Sequence, residues 1–354
     1  MKIRYTAVLS VLLFIAAIPL KAQRLSSESI SKTGTTIAQF LKIDVSARSV
    51  AMGGSFVAVA NDVGAIYINP AGLARVNGYQ AMFTHTEWIA GTKYDFGAVS
   101  LNLNELGALG LMVSSFNSGD MQVTTIAEPD GTGEIFDAQD LLVGLSYSRN
   151  LTDNFSIGFS AKYVYQRIWR STASAVAIDV GTLFDTPFWG IVLGGSIKNF
   201  GPKMQLDGRD IKFADDPDSR NSGNVSVVNA QYEMDEYPLP LFFQVGLSKT
   251  LDLFEKNRLT VPIDAVTPND DYESVNTGFE YGWNEMLFLR AGYKSLIYDS
   301  SDDIFLSEDQ EKGMTAGFGL NLRLQGTMKI QIDYAYADLG RLDNAQRFSL
   351  LLQF

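Results

Sequence analysis

Ala345-Gln346-Arg347-Phe348-Ser349-Leu350-Leu351-Leu352-Gln353-Phe354 is the stretch that decides the fold. Phe348, Leu350, Leu352 and Phe354 fall on one parity, and Ser349 and Gln353 on the other. Successive side chains of a strand point to opposite faces, so this is a strand with one apolar and one polar face. Residues 327–337 repeat the pattern, with Ile330, Ile332, Tyr334 and Tyr336 against Lys329, Gln331 and Asp333. Ile157, Phe159, Tyr163 and Tyr165 do the same in 155–166. Charge confined to one parity predicts a barrel wall whose inner face is polar and whose outer face meets lipid.

Working back along the chain, segments of about ten residues alternate with turn clusters from Tyr79 onward. The expected strands are 79–89, 94–103, 107–117, 139–149, 155–166, 174–184, 189–198, 239–250, 257–268, 273–284, 286–297, 313–323, 327–337 and 345–354. Fourteen is an even number, and the segments match the 9–11 residues that cross a bilayer at a tilt. The predicted fold is all-β: an antiparallel transmembrane barrel over 79–354, preceded by a hatch or plug segment over 23–78. Gly158, Gly181, Gly194, Gly195, Gly317 and Gly319 fall inside strands, where they are expected to relieve crowding as the sheet curves. Tyr79, Trp88, Tyr94, Trp189, Trp283 and Tyr298 lie at strand ends and suit interfacial girdles.

Short turns (104–106, 151–154, 185–188, 253–256, 283–285, 324–326) largely alternate with longer connections (118–138, 199–238, 298–312). Such barrels keep short turns on the periplasmic side, so both termini are expected there and the long loops at the cell surface. The longest loop, 199–238, holds Asp207, Asp210, Asp215, Asp216, Asp218, Glu233, Asp235 and Glu236 against four basic residues. It reads as a solvated surface loop that also serves as a lid or docking surface. The aromatic Phe354 resembles the C-terminal signal read by barrel-assembly machinery.

Export is expected from residues 1–22: Lys2 and Arg4 precede an apolar run to Leu20, and Ala22 stands where a signal peptidase would cut. Loss of Lys2, Arg4 and Lys21 takes the net charge from −12 to about −15, a balance that repels nucleic acid. The 354 residues include no cysteine, which excludes lipidation at cysteine, disulfides and thiolate metal sites. The only histidine, His85, is expected to be a lumen-facing or strand-end polar residue, and it offers no Ser/His catalytic set. Asp215-Asp216-Pro217-Asp218, Asp270-Asp271 and Asp302-Asp303 do not match the spaced ligands of a calcium loop. No phosphate-binding or dinucleotide fingerprint occurs. The chain therefore reads as non-catalytic and without cofactor or metal.

The segment before the barrel is of another kind: Ile37-Ala38-Gln39-Phe40-Leu41-Lys42-Ile43, then Ala47-Arg48-Ser49-Val50-Ala51-Met52-Gly53-Gly54, then Ile66-Tyr67-Ile68-Asn69-Pro70-Ala71-Gly72-Leu73. Gly53-Gly54 permits a tight backbone path, Pro70 fixes a turn, and Asn69 can cap the helical turn that follows. Arg48, buried in a lumen, needs carboxylate partners, and by strand parity Asp179 or Asp333 would serve, pinning the hatch to the wall.

These motifs resemble the N-terminal hatch of the FadL superfamily, fourteen-stranded barrels whose hatch bears Asn-Pro-Ala. Within it the segment 37–53 resembles the PorV/PorQ family more closely than the fatty-acid transporters. That resemblance marks Arg48, Gly53, Gly54, Asn69, Pro70, Ala71 and Gly72 as the hatch motif. It implies an outer-membrane lipid environment and a part in the type IX secretion system. There the partners would be C-terminal signal domains of secreted proteins, the translocon and the attachment complex, in the manner of a PorV-like shuttle or a PorQ-like subunit. The superfamily resemblance equally allows a passive transporter of hydrophobic small molecules.

Overall fold

The computed structural model describes residues 32–209, 211–217, 220, 227–254, 256–298, 313–324 and 328–354. The expected signal peptide 1–22, residues 23–31 of the expected hatch, Asp210, Asp218 and the Asp302-Asp303 pair lie outside the described residues. Fourteen antiparallel strands close into a barrel. They are β1 (Tyr79–Glu87), β2 (Lys93–Asn102), β3 (Ala108–Asn117), β4 (Ala138–Thr152), β5 (Phe155–Ile168), β6 (Ser171–Asp185) and β7 (Ile191–Phe200). The second half is β8 (Phe242–Phe254), β9 (Asn257–Pro268), β10 (Ser274–Trp283), β11 (Leu287–Tyr298), β12 (Met314–Arg323), β13 (Lys329–Asp338) and β14 (Asn344–Gln353).

Closure is made by β1 against β14, with Phe83 opposite Leu350 and Thr84 opposite Ser349. At one rim Tyr79 and Phe354 exchange backbone hydrogen bonds of 2.9 and 3.4 Å, so the barrel's own two ends lie side by side. A closed ring leaves no unpaired sheet edge, which is what allows strands to sit in lipid. The decisive stretch behaves as its parity requires: Phe348, Leu350 and Phe354 are exposed, whereas Arg347, Ser349 and Leu351 are buried inside. Outward rings stack across strands, Phe318 on Tyr334 at 5.5 Å and Tyr334 on Phe348 at 5.0 Å.

Several expectations need correction. β4, β5 and β6 run to 14 or 15 residues, longer than the pattern suggests. At the end of β4 both parities are exposed, because hydrogen bonding continues after the lipid-driven alternation has stopped. Tyr94 is not a girdle residue; it is 1% exposed and faces inward with Phe96 and Ala98. Trp88 is half buried against the core, with the Arg347 guanidinium 5.2 Å above its ring. Nearness to a strand end does not decide facing; parity does. Trp189, Trp283 and Tyr79 are exposed in the manner of a girdle. Of the two alternatives for His85 the strand-end one fits and the lumen-facing one does not: it lies two residues from the end of β1, shares the outward parity of Phe83, and its Nδ1 lies 2.7 Å from Asp95 on β2.

The loops are more ordered than a solvated chain. Met121–Gln122 pairs with Ile135–Phe136, and Lys212–Asp215 pairs with Val228–Gln231. The long loop is stapled at its root, where Met204 and Tyr237 bridge and the buried Met204 and Leu239 join the core.

Candidate functional site: the hatch and the lumen wall

Residues 32–78 fill the lumen from rim to rim. Thr36–Ile43 lie at the end carrying the long loops, for Ile37 N donates to Pro238 O at 3.0 Å and Ala38 N to Gln166 Oε1 at 3.0 Å. Val76 and Gly78 lie at the short-turn end, where Asn102 N donates to Gly78 O at 3.2 Å. Between them come helix α1 (Ala47–Ala51), helix α2 (Ala65–Ile68) and a 3-10 turn over Pro70–Arg75. The hatch has no core of its own, and its apolar side chains supply more than half of the cluster that fills the barrel.

The motif residues act on this seating. Asn69 caps the 3-10 turn, its Oδ1 accepting from Ala71 N at 3.2 Å. Its Nδ2 donates to Val57 O at 2.8 Å within the hatch and to Thr182 O at 3.0 Å on the wall. Pro70 takes the first position of that turn, where a missing N–H costs nothing. Gly72 packs where a Cβ would meet Ala65 Cβ at 2.6 Å and Ala60 O at 2.7 Å. Gly53, at φ +71°, touches the opposite wall, and a Cβ there would meet Thr277 O at 2.7 Å. Gly54 continues the left-handed path at φ +76°.

Four of the wall glycines serve a purpose other than curvature. A Cβ at Gly158 would strike Pro70, one at Gly181 would strike Asn69, one at Gly194 would lie 2.5 Å from Val57 O, and one at Gly317 would lie 2.6 Å from Ala51 Cβ. They are seats cut for the hatch backbone. Wall hydroxyls complete the seating: Ser196 Oγ donates to Ile68 O at 2.7 Å, Ser148 Oγ to Ala71 O at 3.0 Å and Ser248 Oγ to Ala58 O at 3.1 Å. The buried Asp264 carboxylate accepts from Phe56 N at 2.7 Å and Val57 N at 2.9 Å. Buried backbone groups must find partners, and here strand side chains provide them. Ser148, Ser196, Ser248 and Asp264 are not named by the sequence reading, although their inward parity could have marked them.

Arg48 is pinned to the wall, but by other partners than Asp179 or Asp333. Its Nε and Nη2 donate to the two oxygens of Glu280 on β10 at 2.8 and 2.9 Å, and its Nη1 to Asp62 at 2.9 Å. Glu280 also accepts from Arg290 Nε at 2.7 Å, and Arg290 Nη1 reaches Asp333 at 2.6 Å. Asp333 thus belongs to the network one link away, while Asp179 pairs with Lys162 at 2.7 Å across β5 and β6. Parity says that a residue points inward; it does not say at which azimuth the hatch presents its arginine. Burial opposes the Arg48 charge, yet Glu280 and Asp62 outweigh it and hold the guanidinium's pKa above its ordinary range.

At the loop end, Thr36–Ile43 form a stopper. Phe40 and Leu41 are buried, Phe40 meets the Tyr94 ring edge-on at 6.3 Å, and Tyr67 Oη donates to Leu41 O at 2.9 Å. Asp270, in the connection between β9 and β10, latches it by accepting from Thr36 Oγ1, Gln39 Nε2 at 3.1 Å and Lys42 Nζ at 3.0 Å.

The lumen has two unlike sides. Against β1–β6 the hatch packs on Met82, Tyr94, Phe96, Ala98, Met112, Leu142, Val164, Ala177 and Leu183, a mostly apolar face interrupted by the buried Lys162–Asp179 pair. Against β7–β14 the buried wall carries Lys198, Asp264, Glu280, Arg290, Asp333 and Arg347.

This architecture, a closed fourteen-stranded antiparallel barrel, is similar to that of solved hydrocarbon transporters. The toluene transporter TodX of Pseudomonas putida is 12% identical, with 86% of this chain covering 96% of that one at a TM-score of 0.51. The CymD monoaromatic hydrocarbon channel is 11% identical, with coverages of 88% and 97% and a TM-score of 0.51. These likenesses establish the fold. No family model and no curated protein matches the sequence.

Proposed function

We propose that this protein is a hatch-plugged conduit of the outer membrane for small hydrophobic molecules, non-catalytic, with its short turns and barrel ends in the periplasm and its long loops outside. The observation that carries the reading is the two-sided lumen. An apolar seam runs between the hatch and β1–β6 from Phe40 and Tyr94 near the loop end to Leu73 and Leu183 near the turn end. The Arg48–Glu280 anchor sits on the opposite side, so a hatch displaced from the seam keeps that attachment and gives up the half-exposed Arg75–Asp185 pair at the turn end. TodX and CymD, which share the fold, are a toluene transporter and a monoaromatic hydrocarbon channel. In lipid nanodiscs the protein should bind toluene saturably, and Met112→Glu, a charge placed in the seam, should abolish binding. Absence of saturable binding, together with no toluene flux above empty vesicles, sinks the reading.

A second reading rests on the hatch motif and on the loop end. The PorV/PorQ resemblance and the plugged loop end suit a barrel used as a docking surface in type IX secretion. Its partners would be C-terminal signal domains, the translocon and the attachment complex. The paired strands Lys212–Asp215 and Val228–Gln231, with Tyr232 next in the chain, present an exposed ring pair, Phe213 and Tyr232, 4.8 Å apart. A photo-crosslinker at Tyr232 in intact cells should capture proteins sharing one C-terminal domain; repeated capture of none would remove this reading.

A further inference from the structure

The turn end of the barrel is dressed for a lipid interface rather than for water. Leu106, Leu151, Phe188, Trp189 and Leu324 are exposed at or beside the tips of four turns. Apolar and aromatic side chains gather where a barrel wall passes from hydrocarbon to headgroups. Two depressions open on this rim, and Phe354 borders both. The first, of about 390 Å³, lies in the mouth beside β12–β14, lined by Arg323, Lys329, Asn77 and Gln353. No acidic side chain lines it. Among the described residues neither Arg323 nor Lys329 makes an ion pair, with an acidic side chain or with Phe354. Gln325, Gly326 and Thr327, which follow in the turn between their strands, carry no charge. The adjoining chamber that shares Gln353 does hold carboxylates, but they are taken: Asp62 by Arg48, Glu280 by Arg48 and Arg290, and Glu285 by Arg258.

The second depression, of about 400 Å³, is a groove on the lipid-facing wall over β1–β4, lined by Tyr79, Ala81, Val99, Leu111, Leu145 and Phe354. Ala81 makes the dent, for its short side chain stands on the outward parity between the exposed Tyr79 and Phe83. Gly78 lines the first depression and Tyr79, next in the chain, lines the second. At Gly78 the lip between them bears no side chain, and a Cβ there would strike Phe354 O. A cationic pocket and an apolar groove thus meet across the closure of β1 with β14.

We propose that the two depressions form one seat for a phospholipid with an anionic headgroup, its phosphate on Arg323 and Lys329 and one acyl chain in the groove over Ala81. Arginine offers a phosphate a two-pronged fork, and lysine adds a compact charge. A zwitterionic headgroup would bring its own ammonium to two cations that already lack a counter-charge. A free phosphate would leave the adjoining groove unused. The apolar turn tips put both cations in the headgroup layer, where a lipid is the neighbour at hand. The seat is independent of the conduit reading, since it lies at the lip and on the outer wall rather than in the seam.

The test is native mass spectrometry of the full chain, released from nanodiscs made of equal parts phosphatidylglycerol and phosphatidylethanolamine with matched chains. One phosphatidylglycerol should stay on each barrel, enriched about tenfold over phosphatidylethanolamine. Arg323→Gln combined with Lys329→Gln should abolish that preference. Ala81→Phe fills the groove, leaves both cations in place and puts an apolar side chain on a lipid-facing position, so it should fold and retain several-fold less lipid. Equal retention of the two lipids, or an unchanged preference in the folded double variant, overturns the seat. Displacement of the lipid by glycerophosphoglycerol, which has the headgroup without the chains, would mean a site for the phosphate alone and overturns it too, as does full retention in Ala81→Phe.

Discussion

Arg48 concentrates the energetics of the hatch at one residue. Its guanidinium and that of Arg290 share Glu280, so replacing that carboxylate leaves Arg48 with Asp62 alone and Arg290 with Asp333 alone. Breaking a buried pair by removing one partner costs about 3–5 kcal/mol. Glu280→Gln should therefore lower the unfolding free energy from denaturant titration in micelles by up to that order, and Arg48→Met should add to it less than additively in the double variant. Strict additivity would mean that the two residues do not act through each other. The need for a carboxylate partner was legible in the sequence, since an arginine beside Gly and Ala in a lumen segment demands one. Glu280 itself was not legible, because inward parity selects a dozen polar positions and only the packing of α1 against β11–β13 chooses among them. Lys198 carried a usable signal, a charge on the parity opposite the exposed Ile197 and Leu193.

At the level of elements the stopper has its own pH dependence. Burial opposes ionisation of Asp270, but hydrogen bonds from Thr36, Gln39 and Lys42 and the Lys42 charge hold its carboxyl below the usual range. A depressed carboxylate contributes stability that is present above its unfolded pKa of about 3.9 and is lost as pH falls through the lower folded value. Hydrogen exchange of residues 36–43, corrected for intrinsic rates, should stay protected from pH 8 to 5 and rise only well below 4. Asp270→Asn should raise exchange at every pH; if it does not, the latch is ornamental. The strands themselves were readable because lipid enforces a period of two. Their limits were not, for a hairpin such as β4–β5 goes on pairing in water, where nothing enforces the alternation. Pro262 adds an interruption: pairing of β9 with β10 skips from Thr260 to Ile263, and the strand bulges between Val275 and Thr277. That irregular wall is where Gly53 makes contact.

For the molecule as a whole, the plug is the core. Deleting 32–75 removes most of the apolar cluster and leaves Glu280, Asp264 and Arg290 facing an empty bore. The truncated barrel should be far less stable than the full chain and should lose its heat-modifiable folded band in gel electrophoresis at a lower temperature. Retention of full stability would show that the wall stands alone. That a hatch exists was plain from composition; that it reaches from rim to rim was not, since nothing in residues 32–78 states a direction of travel.

The rim-to-rim course fixes an order of assembly. A rod that fills a ring and is bonded to nearly every stave does not slide into a ring already shut. The sheet has to curl about the segment as a cooper's hoop closes on its last stave. The junction of β1 with β14, where Tyr79 meets Phe354, is then the last to zip, and the hatch is the mandrel on which the cylinder is wound.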